Sequence, residues 1–393
     1  MRAAGAPSVL ATFIVVAIAS TADWPVSARG GHGQLGKPLE GLTMDERKKF
    51  RDGKEEFEAV ETAAQGLGPI FNNVSCVACH SIPAVGGSSP INETRAQRVV
   101  GADHFELPGG SLFQSDAINA NCRETVPTDA NVIAPRQTTP LFGAGLIEAI
   151  PDAQIEAYRA EQASAHPEQA GMICHVLDVA SGMTRIGRFG WKSQQATLLA
   201  FSGDAYLNEM GVTSRLFPVE NAPNGNAGKL GACDTVADPE DTEDDIVGFT
   251  NFMRMLAPPP QDDEDDNGGK QSGDQGRRVF EKVGCAVCHR PGFTAESPIA
   301  AINGRRVNAF SDFLLHDVGT GDGIIQGEAP ANVLRTPPLW GVSASAPYLH
   351  DGSAATIREA IRRHANQGAA ARKSFEDLSR EEQEALLDFL DSI

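Results

Sequence analysis

Apolar residues gather along this chain in one unbroken run and three helically spaced stripes. The run, from Val9 to Ala19, follows the positive charge of Arg2 and precedes the small-x-small triplet Ser20-Thr21-Ala22. That order is a secretory leader over residues 1–22, too short and wrongly flanked to span a bilayer. The first stripe, Phe50, Phe57 and Val60, follows a Thr-x-x-Glu capping box at Thr43 and Glu46. The second is Val279, Phe280 and Val283. The third, Leu386, Leu387, Phe389 and Leu390, follows another capping box at Ser379 and Glu382. Each predicts an amphipathic helix. Between the first two lies APPPQDDEDDNGGKQSGDQG, whose prolines, acids and glycines make residues 257–274 a linker or exposed loop.

Composition changes this picture little. A length of 393 residues suits two or three domains, and 41% hydrophobic residues can build real cores. The formal net charge of -19 excludes nucleic acid as a partner, because phosphates would repel it. A basic protein partner fits that charge, as does simple solubility. No later segment reaches 18 apolar residues, so no membrane span is expected, and no lipobox cysteine follows the leader. The expected location is the periplasm, with the mature chain starting near Asp23.

Candidate chemistry enters with a repeated pentapeptide: CVACH at residues 76–80 and CAVCH at 285–289. Cys-x-x-Cys-His attaches c-type haem. On a helical turn, positions i, i+3 and i+4 share one face. Cys76 and Cys79 would bind one porphyrin with His80 as the proximal iron ligand. Cys285, Cys288 and His289 would do the same for a second. A redox pair does not need the histidine, and a zinc site would need two further ligands. Cys122, Cys174 and Cys233 remain, an odd number whose pairing the sequence does not give.

The chain also repeats itself around the pentapeptides. RQTTPLFG (136–143) is echoed by RTPPLWG (335–341), and FGWKSQQATLLA from Phe189 by YLHDGSAATIREAI from Tyr348. The echo sets Trp191 opposite His350 and Thr197 opposite Thr356. The first copy is longer, mostly between Gly143 and Arg188, and the excess reads as loop insertions. The expected fold is mainly α: two cytochrome c-like haem domains in tandem with long loops. They cover 23–256 and 275–393, joined by 257–274.

GLGPIFNNVSCVACH, RQTTPLFGAGLIEAIPD, GRFGWKSQQATLLAFSGDAYLNEMG, FSDFLLHDVG and RTPPLWGVSASAPYLHDGSAATIREAI together resemble the di-haem oxidoreductase family of peroxidase-like proteins. The resemblance is more distant to bacterial di-haem cytochrome c peroxidases and to the di-haem enzyme that matures the tryptophan cofactor of methylamine dehydrogenase. It implies reduction of hydrogen peroxide at the N-terminal haem, with electrons relayed by the C-terminal haem from a small redox carrier such as a cytochrome c or cupredoxin. It makes Trp191 the electron bridge and Glu209 the distal acid–base group. It puts His364 where those peroxidases carry a methionine, which would give the second haem two histidine ligands and a lower potential. It leaves room for calcium between the domains. His104 is a candidate to close the first haem. Arg136 and Arg335 suit buried propionates, and His316 and His350 suit propionates or loop structure. Cys174-His175 reads as core or loop rather than a metal pair. The rival readings are a non-catalytic electron carrier and an oxidase of a protein or thiol partner.

Overall fold

The computed structural model describes residues 35–242, 244–261 and 270–393; the expected leader and the acid run at 262–269 lie outside them. Helix makes up 35% and strand 15% of the described residues, so the fold is mainly helical. The helices that position the site are α1 (Met44–Glu58), α2 (Asp152–Ala165), α3 (Leu198–Met210), α4 (Asp244–Met255), α5 (Lys270–Lys282) and α6 (Arg380–Ser392).

α1 begins at its capping box, with the Thr43 side chain accepting from the Glu46 N–H and the Glu46 carboxylate accepting from the Thr43 N–H. Phe50 and Phe57 are buried. Val60 is not part of that stripe: the backbone turns extended at Ala59, the helix stops at Glu58, and Val60 is exposed. α1 crosses α4 so closely that a Cβ on Gly53 would overlap the Gly248 carbonyl oxygen. α5 crosses α6 in the same way, with Gly276 against the Ala385 carbonyl oxygen. A buried phenylalanine follows each glycine by four residues, Phe57 and Phe280. The chain thus builds one helix crossing twice, using a small residue for close approach and an aromatic for burial. α6 buries Ala385, Leu386, Phe389 and Leu390 behind its capping box.

The echoed turns share geometry as well as sequence. Gly143 and Gly341 both precede a helical turn with positive φ, 73° and 66°. Thr197 and Thr356 both cap a helix, accepting from the N–H three residues on. One large core runs through both halves, joining Phe57, Ile147 and Phe252 to Phe293, Phe313 and Trp340. A smaller core gathers Phe280, Phe310 and Phe389.

One region for which no element was expected and one expected as a loop insertion are regular structure. Strand β1 (Asn92–Val100) pairs antiparallel with β2 (Asp103–Phe105), β3 (Leu112–Phe113) and β4 (Val132–Gln137). Its sequence, NETRAQRVV, hides the strand because polar side chains fill the covered face. The excess between Gly143 and Arg188 holds α2 and the hairpin His175–Asp178 with Met183–Ile186. α2 crosses to the second pentapeptide: Tyr158 Oη and Gln162 Nε2 donate to the Val287 carbonyl at 2.9 and 2.6 Å.

Candidate haem sites

Cys76–Cys79 is a single helical turn, and the His80 N–H donates to the Cys76 carbonyl at 3.0 Å. The His80 Nδ1 lies 3.0 Å from the Gly87 carbonyl. A carbonyl only accepts, so Nδ1 carries the hydrogen and Nε2 keeps its lone pair. Burial pushes the His80 pKa down to about 4, which keeps the ring neutral. The second motif repeats this. The Cys285–Val287 turn leads to His289, whose Nδ1 is 3.0 Å from the Phe310 carbonyl, and burial lowers its pKa to about 4. His364 Nδ1 is 2.9 Å from the Ala360 carbonyl. After burial, His364 is the next cause lowering the His289 pKa, so the two rings lie within electrostatic reach.

Three half-buried imidazoles thus share the tautomer that leaves Nε2 for a metal. The four pentapeptide cysteines are free thiols, whereas Cys122 and Cys233 form a disulfide and Cys174 is buried and unpaired. A cavity of about 300 Å³ is lined by Cys285, Cys288, His289 and His364, and it reaches Trp191 and Ile82 in the loop after His80. His350 Nδ1 and Gln137 Oε1, on the same walls, are buried without a partner. Free thiols, neutral imidazoles and unsatisfied polar atoms around a mostly apolar cavity fit a c-type haem.

Trp191 sits in this wall, where its Nε1 donates to the Gln137 carbonyl at 2.9 Å. Its backbone carbonyl accepts from the Arg335 N–H at 2.8 Å. Its ring meets that of His350 edge to face. Arg335 donates to the Gly190 and Thr336 carbonyls and lines the cavity.

Glu209, on the last turn of α3, returns against the loop that leads into Cys76. Its backbone carbonyl accepts from the Asn72 N–H at 2.8 Å, and its carboxyl accepts from Asn72 Nδ2 at 2.7 Å. Burial first, then the Glu93 charge, raise its pKa to about 7. Glu93 and Arg95 are residues that sequence reasoning missed. They stand two apart on β1 and so share a face. The charges at alternate positions in ETR were the available signal. Arg95 contacts both Glu93 oxygens, at 2.9 and 3.2 Å.

The remaining expected residues have other work. Arg136 is paired with Asp322, at 2.7 and 2.6 Å, and bonded to Gln326, while its buried Nη2 makes no hydrogen bond. Lys192 holds the other Asp322 oxygen at 3.1 Å. His316 bonds Asp312 at 2.9 Å: burial alone would lower its pKa, but the carboxylate overcomes this and raises it to about 10. Its Nδ1 lies 3.8 Å from Cys288 Sγ, so the pair braces the second pentapeptide. His104, on β2, bonds Gln97. Glu220, Asp238 and Glu240 converge in the first half, near the disulfide cysteine Cys233. Among the described residues no helix is long and apolar enough to cross a membrane.

Among curated proteins none matches the chain. Among solved structures, a hydrazine synthase chain from Kuenenia stuttgartiensis is 17% identical at a TM-score of 0.44, over 99% of this chain and 100% of that one. A MauG-like protein associated with microbial copper homeostasis is 15% identical at 0.42, over 91% and 92%. The diheme peroxidase BthA from Burkholderia thailandensis is 13% identical at 0.31, over 75% and 92%. A family model described as "Di-haem oxidoreductase, putative peroxidase" matches residues 111–393, beginning after the first pentapeptide and including the second. The chain belongs to this di-haem oxidoreductase family.

Proposed function

We propose that the chain is a periplasmic peroxidase that reduces hydrogen peroxide at its N-terminal haem, using electrons delivered singly by a small redox carrier. Cys76 and Cys79 would hold that haem with His80 as its ligand. Cys285 and Cys288 would hold the second between His289 and His364. A c-type haem supplies iron that binds and cleaves peroxide and a macrocycle that passes single electrons. Glu209 Oε holds and moves the proton that cleavage needs. Asn72 orients that carboxyl from the loop before Cys76. Trp191 lines the cavity beside the second site, which reaches the loop after His80, and would serve as the bridge.

The observation that carries this reading is the return of a half-buried carboxyl, raised toward neutrality, onto the loop that enters the first pentapeptide. A group with a pKa near the working pH is what proton delivery to a leaving oxygen requires. Peroxide turnover by the holoprotein, before and after Glu209→Gln, tests it. A drop of several hundred-fold with both haem spectra intact supports the proposal; unchanged turnover contradicts it.

The electron-carrier reading has one observation of its own, that His289 and His364 line the same cavity within electrostatic reach of each other. Two histidine ligands would give the second haem a filled coordination sphere suited to electron transfer. It describes the relay half of the peroxidase and leaves Glu209 without a role.

A further inference from the structure

Two half-buried acids set side by side need an explanation that the peroxidase reading does not itself supply. The carboxyl groups of Glu209 and Glu93 lie within hydrogen-bonding reach of each other. Two carboxylates at that distance ionise in turn, so until the second titrates one of them holds a proton. The surroundings decide which. Arg95 grips Glu93 through two parallel contacts, Nε to Oε1 at 2.9 Å and Nη2 to Oε2 at 3.2 Å. Arg136, directly opposite Glu93 in the sheet register, adds its Nη1 at 3.8 Å from the same carboxylate. Glu209 accepts from the neutral amide of Asn72, and the Arg95 charge also acts on it. A bidentate arginine marks an ionised partner.

We propose that Glu93 is the positioning residue for the proton on Glu209: the two carboxyls share one proton, and Arg95 and Arg136 fix the negative charge on Glu93. This inference rests on the reading of Glu209 as the peroxide acid. Reduction of one hydrogen peroxide takes two electrons and two protons, breaks the O–O bond and yields two waters. The carrier protein supplies the electrons. Glu209 gives one proton and is reprotonated from solvent, and solvent gives the other.

The charge on Glu93 is itself held in place. Arg136 is fixed by Asp322, and Asp322 by Lys192, whose backbone adjoins Trp191. The other groups around Glu209 do not take over this role. Asp204, one turn back on α3, is bonded to Asn208, and burial pushes its pKa up to about 6. Cys76 and Cys79 would carry no charge once bound to haem as thioethers.

The test is infrared difference spectroscopy of the holoprotein in H2O and D2O from pH 5 to 9, read at the stretch of a protonated carboxyl. The wild type should show a band lost as pH rises through about 7, and Glu209→Gln should remove it. In Glu93→Gln a neighbouring negative charge is gone, which favours ionisation of Glu209. The midpoint should fall by about one unit or more, and the alkaline limb of peroxide turnover should fall with it. A wild type without such a band, or a Glu93→Gln midpoint that stays in place, overturns the proposal. The wild-type and Glu209→Gln spectra decide the matter even if Glu93→Gln does not fold. Turnover that survives Glu209→Gln contradicts the peroxidase reading instead, and the infrared band still judges the shared proton.

Discussion

Trp191 and His350 stand at matching places in the two echoed loops, and their rings meet edge to face with centroids 6.3 Å apart. The Gln137 N–H donates to the His350 carbonyl at 2.6 Å, while Trp191 Nε1 donates to the Gln137 carbonyl. One residue of the echoed turn therefore holds both loops. The duplicated halves meet on these residues, and the cavity opens on both.

Replacing Trp191 by phenylalanine keeps an aromatic but removes the Nε1 donor. Steady turnover of peroxide should fall about ten-fold, a little over 1 kcal/mol in barrier. The absorption spectra of both haems should stay unchanged. Stopped-flow reoxidation of the reduced second haem is the direct measure; an unchanged rate would remove Trp191 from the path.

Glu209→Gln keeps the Asn72 contact in shape but cannot exchange a proton. Turnover should drop about 10²–10⁴-fold, the usual contribution of a general acid–base group. The wild-type rate should decline as pH rises through about 7, because the acid form of Glu209 is lost there. A flat profile between pH 5 and 9 would argue against this role.

His364→Met exchanges the proposed nitrogen ligand for a thioether, and the reduction potential of the second haem should rise. Potentiometric titration followed optically reads it. The first haem should keep its potential. No change at the second would mean that His364 does not ligate.

Gly276→Ala places a methyl against the Ala385 carbonyl oxygen and must spread α5 from α6. The expected loss is about 1–3 kcal/mol, as for other overpacked contacts. Chemical denaturation followed by helix signal measures it. Gly53→Ala should cost a similar amount at the α1–α4 crossing.

Much of this architecture was legible because short-range rules wrote it. The two capping boxes appear at the predicted residues, and the echoed pair Thr197 and Thr356 both prove to be helix caps. The sheet around β1 was not legible: its covered face carries Glu93, Arg95 and Gln97 in place of apolar residues, so the alternation that marks a strand is missing. The same departure hid Glu93 and Arg95 as site residues. Their value lies in pairing with Glu209, more than a hundred positions away, and no local pattern encodes that. α2 was hidden differently. Its contact with the second pentapeptide depends on Tyr158 and Gln162, two polar groups reaching one carbonyl, and an insertion without a motif reads as loop.

The central claim is that one site reacts with peroxide while the other feeds it, and an anaerobic optical titration tests it most directly. The holoprotein would be prepared with one electron per molecule and hydrogen peroxide added in small steps. The account predicts rapid reoxidation at one peroxide per two electrons, with loss of a high-spin band from the first haem. Slow, non-stoichiometric bleaching with both haems low-spin throughout would contradict it.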